Sequence, residues 1–102
     1  VALCRAGATT VAELTYLGIP SILVPLPNAP GDHQTKNARS VLEVGGARML
    51  PDEACSGNAL AASIDDLLRD PVLREQMGSA AKNLGLHDAA TRIAREIVAV
   101  GE

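Results

Sequence analysis

A short turn near the start of the chain has residue types that suit phosphate binding. It spans residues 5–10, reads RAGATT, and stands between an apolar run and an amphipathic segment. A glycine-containing turn that opens a helix exposes backbone N–H groups beside the positive end of the helix dipole, where anions bind. The turn is neither a P-loop nor a dinucleotide GxGxxG fingerprint. Two interpretations remain: a phosphate or diphosphate site, or a tight turn that Gly7 permits and the threonines cap.

Glu13 follows this turn and has two candidate roles. With Thr10 as the helix N-cap, Glu13 stands three residues later, which is the spacing of a capping box. In the second role, its two carboxylate oxygens accept hydrogen bonds from the vicinal hydroxyls of a ribose whose phosphates lie on the turn. The residues alone favour the capping box.

A polar loop at residues 28–37 follows the second apolar run. Because open α/β sheets bind ligands at the carboxyl ends of their strands, the first turn and this loop should border one crevice. His33 and Gln34 then point hydrogen-bonding groups at the same ligand as Gly7 and Glu13. The alternative is structural: Asp32 caps the next helix and the other polar side chains are solvated.

No metal site or nucleophilic triad is recognisable in the sequence. The two histidines, His33 and His87, are far apart, and Cys4 and Cys55 lack the spacing of zinc ligands. We expect no metal, no cofactor and no disulfide, which fits a reducing cytoplasm. His87 is interpreted as a surface or capping residue.

The candidate residues need a strand–helix–strand unit to position them. Residues 1–4 and 19–24 are continuous apolar runs, and the helical segment between them starts at Thr10 and stops at Gly18. Its apolar face should carry Val11, Leu14 and Leu17. Continuous apolar strands are typical of parallel sheets that are covered on both faces. The pattern predicts one right-handed βαβ unit.

The remainder of the chain predicts a third short strand at residues 47–50 and otherwise helices. A helix should run from Asp32 or His33 to Val44, and three more should follow. The expected caps or first residues of these three are Ser56 or Asn58, Asp70-Pro71, and Asp88. The side chains expected to face the core are Ala38, Val41, Leu42, Leu60, Ile64, Leu67, Leu68, Leu73, Met77, Leu84, Ile93, Ile97 and Val98.

Composition allows one small α/β domain and excludes several functions. The chain has 102 residues, 47% of them hydrophobic, a net charge of −3, and Tyr16 as its one aromatic residue. Scarce aromatics and an acidic balance argue against nucleic-acid binding. No apolar stretch reaches the ~20 residues of a membrane span, and no signal peptide is recognisable. Because the sequence begins inside an apolar run, we expect it to be a piece of a longer protein.

The ordered combination of these motifs resembles glycosyltransferase family 28, and within it the GT-B enzymes that make lipid II from UDP-N-acetylglucosamine and lipid I. The matching stretches are CRAGATTVAEL at 4–14, GIP at 18–20, Pro25, and DHQTKNA at 32–38. Any one of them is weak evidence, whereas their order and spacing together are specific.

The resemblance implies a Rossmann-like fold in which residues 1–102 form part of the C-terminal, donor-binding domain. It implies that the turn contacts the diphosphate and ribose of the nucleotide sugar, that Glu13 holds the ribose hydroxyls, and that the 33–34 pair contacts the N-acetylglucosamine. Some family members have Gln-Gln at that pair, so His33 is a departure. The implied donor-binding residues are Gly7, Ala8, Thr9, Thr10, Glu13, His33 and Gln34.

The resemblance also implies functions that this chain lacks. The lipid-linked acceptor and a candidate catalytic base belong to an N-terminal domain, and the uracil contacts lie upstream of Val1. We therefore expect no catalytic residue in this chain and no transfer by it alone. The whole enzyme is expected at the inner face of the cytoplasmic membrane, in peripheral contact with it. Two alternatives stay open: the donor domain of another nucleotide-sugar GT-B enzyme, and a non-catalytic α/β binding module.

Overall fold

The computed structural model describes residues 1–27 and 33–101, with side chains described as far as Thr91. These residues form a small parallel sheet with helices, so the predicted α/β fold with a helical C-terminal third is confirmed. The elements in chain order are β1 (Ala2–Cys4), α1 (Ala8–Leu17), β2 (Ser21–Leu23), α2 (His33–Glu43), β3 (Ala47–Met49), a 3₁₀ turn (Asp52–Ala54), α3 (Gly57–Arg69) and α4 (Pro71–Gly101).

The sheet has the order β1-β2-β3, and both strand pairs are parallel. Leu23 of the central strand stands opposite Cys4 on one side and Met49 on the other. All three residues of β2 are buried, which explains why the apolar run there is continuous rather than alternating. The strand is shorter than the apolar run because prolines flank it: Pro20 has no N–H to add to the ladder.

The core lies on both faces of this sheet. Successive residues of a strand point to opposite faces, so neighbours in β2 enter different clusters. Leu23 packs with Leu14 of α1 and with Ala38 and Val41 of α2. Ile22 packs on the other face with Leu67 of α3 and Met77 of α4.

Most predicted core positions are buried or half-buried, and three are wrong. Leu17 is 62% exposed, Leu42 40% and Leu68 57%, because the packing of their helices leaves these side chains at the surface. The predicted caps of α3 and α4 are confirmed: the Ser56 hydroxyl accepts from the backbone N–H of Ala59, and the Asp70 carboxylate accepts from that of Leu73.

The predicted break before Asp88 is wrong. Helix α4 runs without interruption through His87 and Asp88, so neither residue caps a helix, although His87 is exposed as expected. Gly85 costs a helix only about 1 kcal/mol relative to alanine, and its missing side chain lets α4 lie directly on α1. The inward positions predicted for Ile93, Ile97 and Val98 lie outside the described side chains.

Within residues 1–27 and 33–101, no helix is long and apolar enough to cross a membrane.

Candidate functional site

The β1–α1 turn leaves an open surface at the start of α1. Gly7 is the N-cap, with an ordinary extended conformation at φ −63° and ψ 150°. The tight-turn interpretation of Gly7 therefore fails, because any L-residue adopts this conformation. A Cβ atom placed on Gly7 would meet no atom within 4 Å. Neither the backbone conformation nor the packing therefore requires a glycine at position 7. Its lack of a side chain leaves the start of the helix accessible.

The first turn of α1 carries donors that the helix itself does not use. The Val11 N–H donates to the Gly7 carbonyl at 2.9 Å, so the N–H groups of residues 8–10 precede the first intrahelical bond. No side chain of the described residues caps this end. These N–H groups and the helix dipole favour an anion at the turn.

The predicted capping box between Thr10 and Glu13 is wrong. Helix α1 begins at Ala8, two residues earlier than predicted, so Thr10 lies inside the first turn and cannot be the N-cap. The small residues of the turn allow the helix to extend back to Gly7, where a residue without a side chain replaces the expected hydroxyl cap. Glu13 is exposed and lacks the capping partner that the sequence suggested.

Glu13 lines a groove of about 510 Å³ between α1 and α4. Thr9 lies on the same wall, and Asp88 of α4 lines the other side. Ala8 also borders the groove, so the structure brings three of the predicted site residues together here: Ala8, Thr9 and Glu13. Thr10 is half-buried and is not among the lining residues.

The two predicted turns lie side by side, and Gln34 joins them. Its Oε1 atom accepts a hydrogen bond from the Leu26 N–H at 2.8 Å and one from the Ala6 N–H at 3.3 Å. The common crevice predicted for Gly7, Glu13, His33 and Gln34 stays a prediction, because of these four residues only Glu13 lines the groove between α1 and α4. The structure shows that the ends of β1 and β2 are joined by the carbonyl oxygen of Gln34. His33, the first residue of α2, is exposed beside it.

Asn37 is a residue of this region that the sequence interpretation passed over. Its Nδ2 atom donates to the Ala6 carbonyl oxygen at 3.0 Å, so Ala6 is held by α2 through both its N–H and its carbonyl. Residues 34 and 37 are three apart and share a helix face. Two amide side chains at that spacing, at the start of a helix that follows a strand, are a signal in the sequence. Asp32, predicted to cap α2, lies outside the described residues.

The end of β3 is tied to the same edge by an ion pair. Arg5 Nη1 lies 2.6 Å from the Asp52 carboxylate, and both side chains are partly exposed. This ion pair anchors Arg5, the first residue after β1, to the turn that follows β3. In the described part of the chain, no three His, Cys, Asp or Glu side chains cluster as metal ligands would. Cys4 and Cys55 are free thiols.

Comparison with known proteins decides the family. Residues 1–93 match the model of the glycosyltransferase family 28 C-terminal domain. The chain belongs to glycosyltransferase family 28. The predicted resemblance is confirmed, and the family 28 match spans both turns, the groove, and all seven predicted donor-binding residues.

Curated relatives from family 28 share about half of their residues with this chain. Proteins from Leuconostoc mesenteroides and Lactiplantibacillus plantarum are 50% identical over 99 and 93 residues, which cover 96% and 91% of this chain. Both are named UDP-N-acetylglucosamine--N-acetylmuramyl-(pentapeptide) pyrophosphoryl-undecaprenol N-acetylglucosamine transferase. The matched segments are 27% and 26% of those proteins, so the chain spans about a quarter of their length.

A solved family 28 structure has the same fold. The crystal structure of Acinetobacter baumannii MurG superposes with a TM-score of 0.71 at 33% sequence identity. The match covers 79% of this chain and 24% of that one.

Proposed function

We propose that this chain forms the donor side of a longer transferase that moves N-acetylglucosamine from UDP-N-acetylglucosamine to lipid I, which gives lipid II. Residues 1–102 are then part of its C-terminal, donor-binding domain. Membership of family 28 and the names of the relatives support this proposal. The larger size of those relatives leaves room for an acceptor-binding domain outside this chain.

The observation that carries the proposal is the open turn at Gly7. A diphosphate fits there because the N–H groups of residues 8–10 have no partner inside the helix and the helix dipole favours negative charge. With no Cβ on Gly7, phosphate oxygens can approach the backbone to hydrogen-bond distance. A purely structural turn would gain nothing from this accessibility.

We assign the ribose contacts to Glu13 and Thr9. Both line the groove that begins at the turn, and Glu13 is free of the capping role that competed with ligand binding. Its two carboxylate oxygens match the two vicinal hydroxyls of a ribose. A sugar attached to phosphates at the turn reaches this groove directly.

We assign contacts with the transferred sugar to Gln34 and His33, at the start of α2. Because the Gln34 carbonyl oxygen already accepts two backbone N–H bonds, its amide can only donate to the ligand. Sugar hydroxyl oxygens accept such bonds. His33 lies exposed at the same helix start and adds a second polar group.

The chemistry proposed for the whole enzyme is a single inverting displacement. An acceptor hydroxyl oxygen attacks the anomeric carbon, the bond from that carbon to the diphosphate oxygen breaks, and UDP leaves with the electron pair. The hydroxyl proton passes to a base in the N-terminal domain. This chain stabilises the charge that develops on the leaving diphosphate, which is an electrostatic contribution to catalysis. Because the proposed acceptor is lipid-linked, we propose that the whole enzyme works at the inner face of the cytoplasmic membrane.

The test is a transfer assay on the full-length protein that carries this chain. Purified enzyme is supplied with a lipid I analogue and with UDP-N-acetylglucosamine, UDP-glucose or UDP-N-acetylgalactosamine in turn. We expect transfer from UDP-N-acetylglucosamine well above the other two. Preference for another nucleotide sugar would indicate a different GT-B transferase, and binding of none by calorimetry would indicate a non-catalytic module.

A further inference from the structure

We propose that Asn37 is a positioning residue for the diphosphate turn, and that it acts through the backbone of Ala6 rather than by contact with the ligand. The proposal rests on the proposed function, because it concerns how the same turn is held for its ligand. Asn37 is not one of the seven residues that we expect to contact the nucleotide sugar.

The geometry starts from the peptide unit between Ala6 and Gly7. The Asn37 amide donates to the Ala6 carbonyl oxygen at 3.0 Å. The described chain has no cis peptide bonds, and in a planar trans peptide the carbonyl and the next N–H point in opposite directions. By holding the Ala6 carbonyl toward α2, Asn37 therefore directs the Gly7 N–H away from α2.

A second bond fixes the other side of the same residue. The Gln34 carbonyl oxygen accepts the Ala6 N–H, so α2 holds Ala6 from both directions. Ala6 is fully buried, and one residue later Gly7 faces open space. Glycine is the residue with the greatest backbone freedom, so a turn that contains it needs an external restraint to be preorganised. Asn37 and Gln34 provide that restraint from a different element.

Three roles for Asn37 predict different patterns of affinity. A positioning residue supports the diphosphate turn, so its loss weakens UDP and UDP-N-acetylglucosamine by the same factor. A residue that contacts the sugar weakens UDP-N-acetylglucosamine alone. A residue that only stabilises the fold lowers the melting temperature and leaves both dissociation constants of the folded protein unchanged.

The experiment is isothermal titration calorimetry on the full-length protein with UDP and with UDP-N-acetylglucosamine. The variants are Asn37→Ala and the near-isosteric Asn37→Asp, which keeps the volume but turns the donor into an acceptor against the Ala6 carbonyl. The control is Ser40→Ala, which removes an exposed hydrogen bond to the Asn37 carbonyl oxygen and leaves the Asn37 side chain in place.

We expect Asn37→Ala to weaken the binding of both ligands about tenfold, because the released turn then loses about one backbone hydrogen bond to the diphosphate. Asn37→Asp should weaken them at least as much, and Ser40→Ala should change neither. If Asn37→Ala does not fold, Asn37→Asp alone decides.

A loss confined to UDP-N-acetylglucosamine, or unchanged affinity for both ligands, overturns the positioning role while the proposed function stands. Failure of the wild-type protein to bind either ligand overturns the proposed function, and the positioning role with it.

Discussion

The two ends of helix α1 use glycine for opposite purposes. At its start, a Cβ on Gly7 would meet no atom within 4 Å. Toward its other end, a Cβ on Gly85 of α4 would lie 2.6 Å from the Thr15 carbonyl carbon, and one on Gly78 would lie 2.7 Å from the Gly18 carbonyl oxygen. Glycine exposes backbone at the first end and lets two helices touch at the second. The first end leaves backbone N–H groups accessible, and the second holds α4 against α1, where Gly85 also lines the groove of about 510 Å³.

The largest effect is expected at the packed end. Gly85→Val places carbon atoms against the Thr15–Tyr16 backbone, which cannot move aside as a flexible side chain would. Overpacking of this kind costs about 1–3 kcal/mol and occasionally more, and we expect a value near the upper limit. Urea unfolding of the full-length protein and the variant measures the difference.

The matched control for this variant is Gly57→Ala. Gly57 is the first residue of α3, and a Cβ there would also meet nothing within 4 Å. It should be neutral or stabilising by up to about 1 kcal/mol, through the entropy of the unfolded chain. Equal losses at both positions would contradict the packing explanation.

A substitution of Gly7, at the open end of α1, should lower the affinity for UDP more than it lowers the free energy of unfolding. Gly7→Val places a branched side chain over the first-turn N–H groups, and we expect UDP affinity to fall about 100-fold, or about 2.7 kcal/mol. The free energy of unfolding should change by no more than about 1 kcal/mol, because valine is only a poorer N-cap than glycine. Calorimetric titration and urea unfolding give the two values.

A second substitution of Gly7 should change stability and UDP affinity in opposite directions. Gly7→Ser offers its hydroxyl to the free N–H groups, so it should stabilise the helix by about a few tenths of a kcal/mol. The same hydroxyl competes with the phosphate, so UDP affinity should fall. Normal UDP binding in Gly7→Val and Gly7→Ser would exclude the turn as a phosphate site.

The sequence predicted the parallel sheet, because continuous apolar runs and their glycine and proline boundaries are local signals. It could not distinguish Gly7 from Gly85, because their difference lies in which other segment stands beside them in three dimensions. The wrong break before Asp88 has the same cause. In the sequence, Gly85 followed by His87 and Asp88 resembles a helix end, and only the packing of α1 against Gly85 shows that the helix continues.

The candidate site was predictable where residue type and position agree. The accessible helix start follows from one glycine between a strand and a helix, and its position beside the end of β2 follows from parallel topology. The capping box was wrong because Thr10 and Glu13 have the correct spacing but the helix begins two residues earlier. The amide pair at positions 34 and 37 is visible in the sequence, but its hydrogen bonds to Ala6 span 28 and 31 residues, so the sequence does not show which residue the pair contacts.

A smaller effect is expected at Glu13, along the helix from the open end. Glu13→Ala removes hydrogen bonds between a carboxylate and the ribose hydroxyls, and the KM for UDP-N-acetylglucosamine should rise about tenfold, corresponding to about 1.4 kcal/mol. Stability should hardly change, because Glu13 is exposed and caps nothing. Steady-state kinetics of the full-length enzyme measure the change.

Two comparisons make the Glu13 result specific. Glu43→Ala removes an exposed carboxylate at the end of α2 and should leave KM unchanged. The wild-type protein should prefer UDP to 2′-deoxy-UDP, and Glu13→Ala should reduce that preference. A sharp fall in melting temperature without a change in KM would return Glu13 to a structural role.

The smallest effect is expected for the ion pair that joins β3 to the open end. Arg5 and Asp52 are 51% and 37% exposed, and exposed ion pairs contribute at most about 1 kcal/mol. Asp52→Asn should therefore cost less than about 1 kcal/mol in urea unfolding, and the difference should vanish near 1 M salt, where the Debye length is about 3 Å. A larger or salt-independent loss would mean that Asp52 restrains the turn through more than its charge. If the loss is as small as expected, the part-buried hydrogen bonds between α2 and Ala6 are the main restraint on the turn, and amide groups rather than charges keep the open end in place.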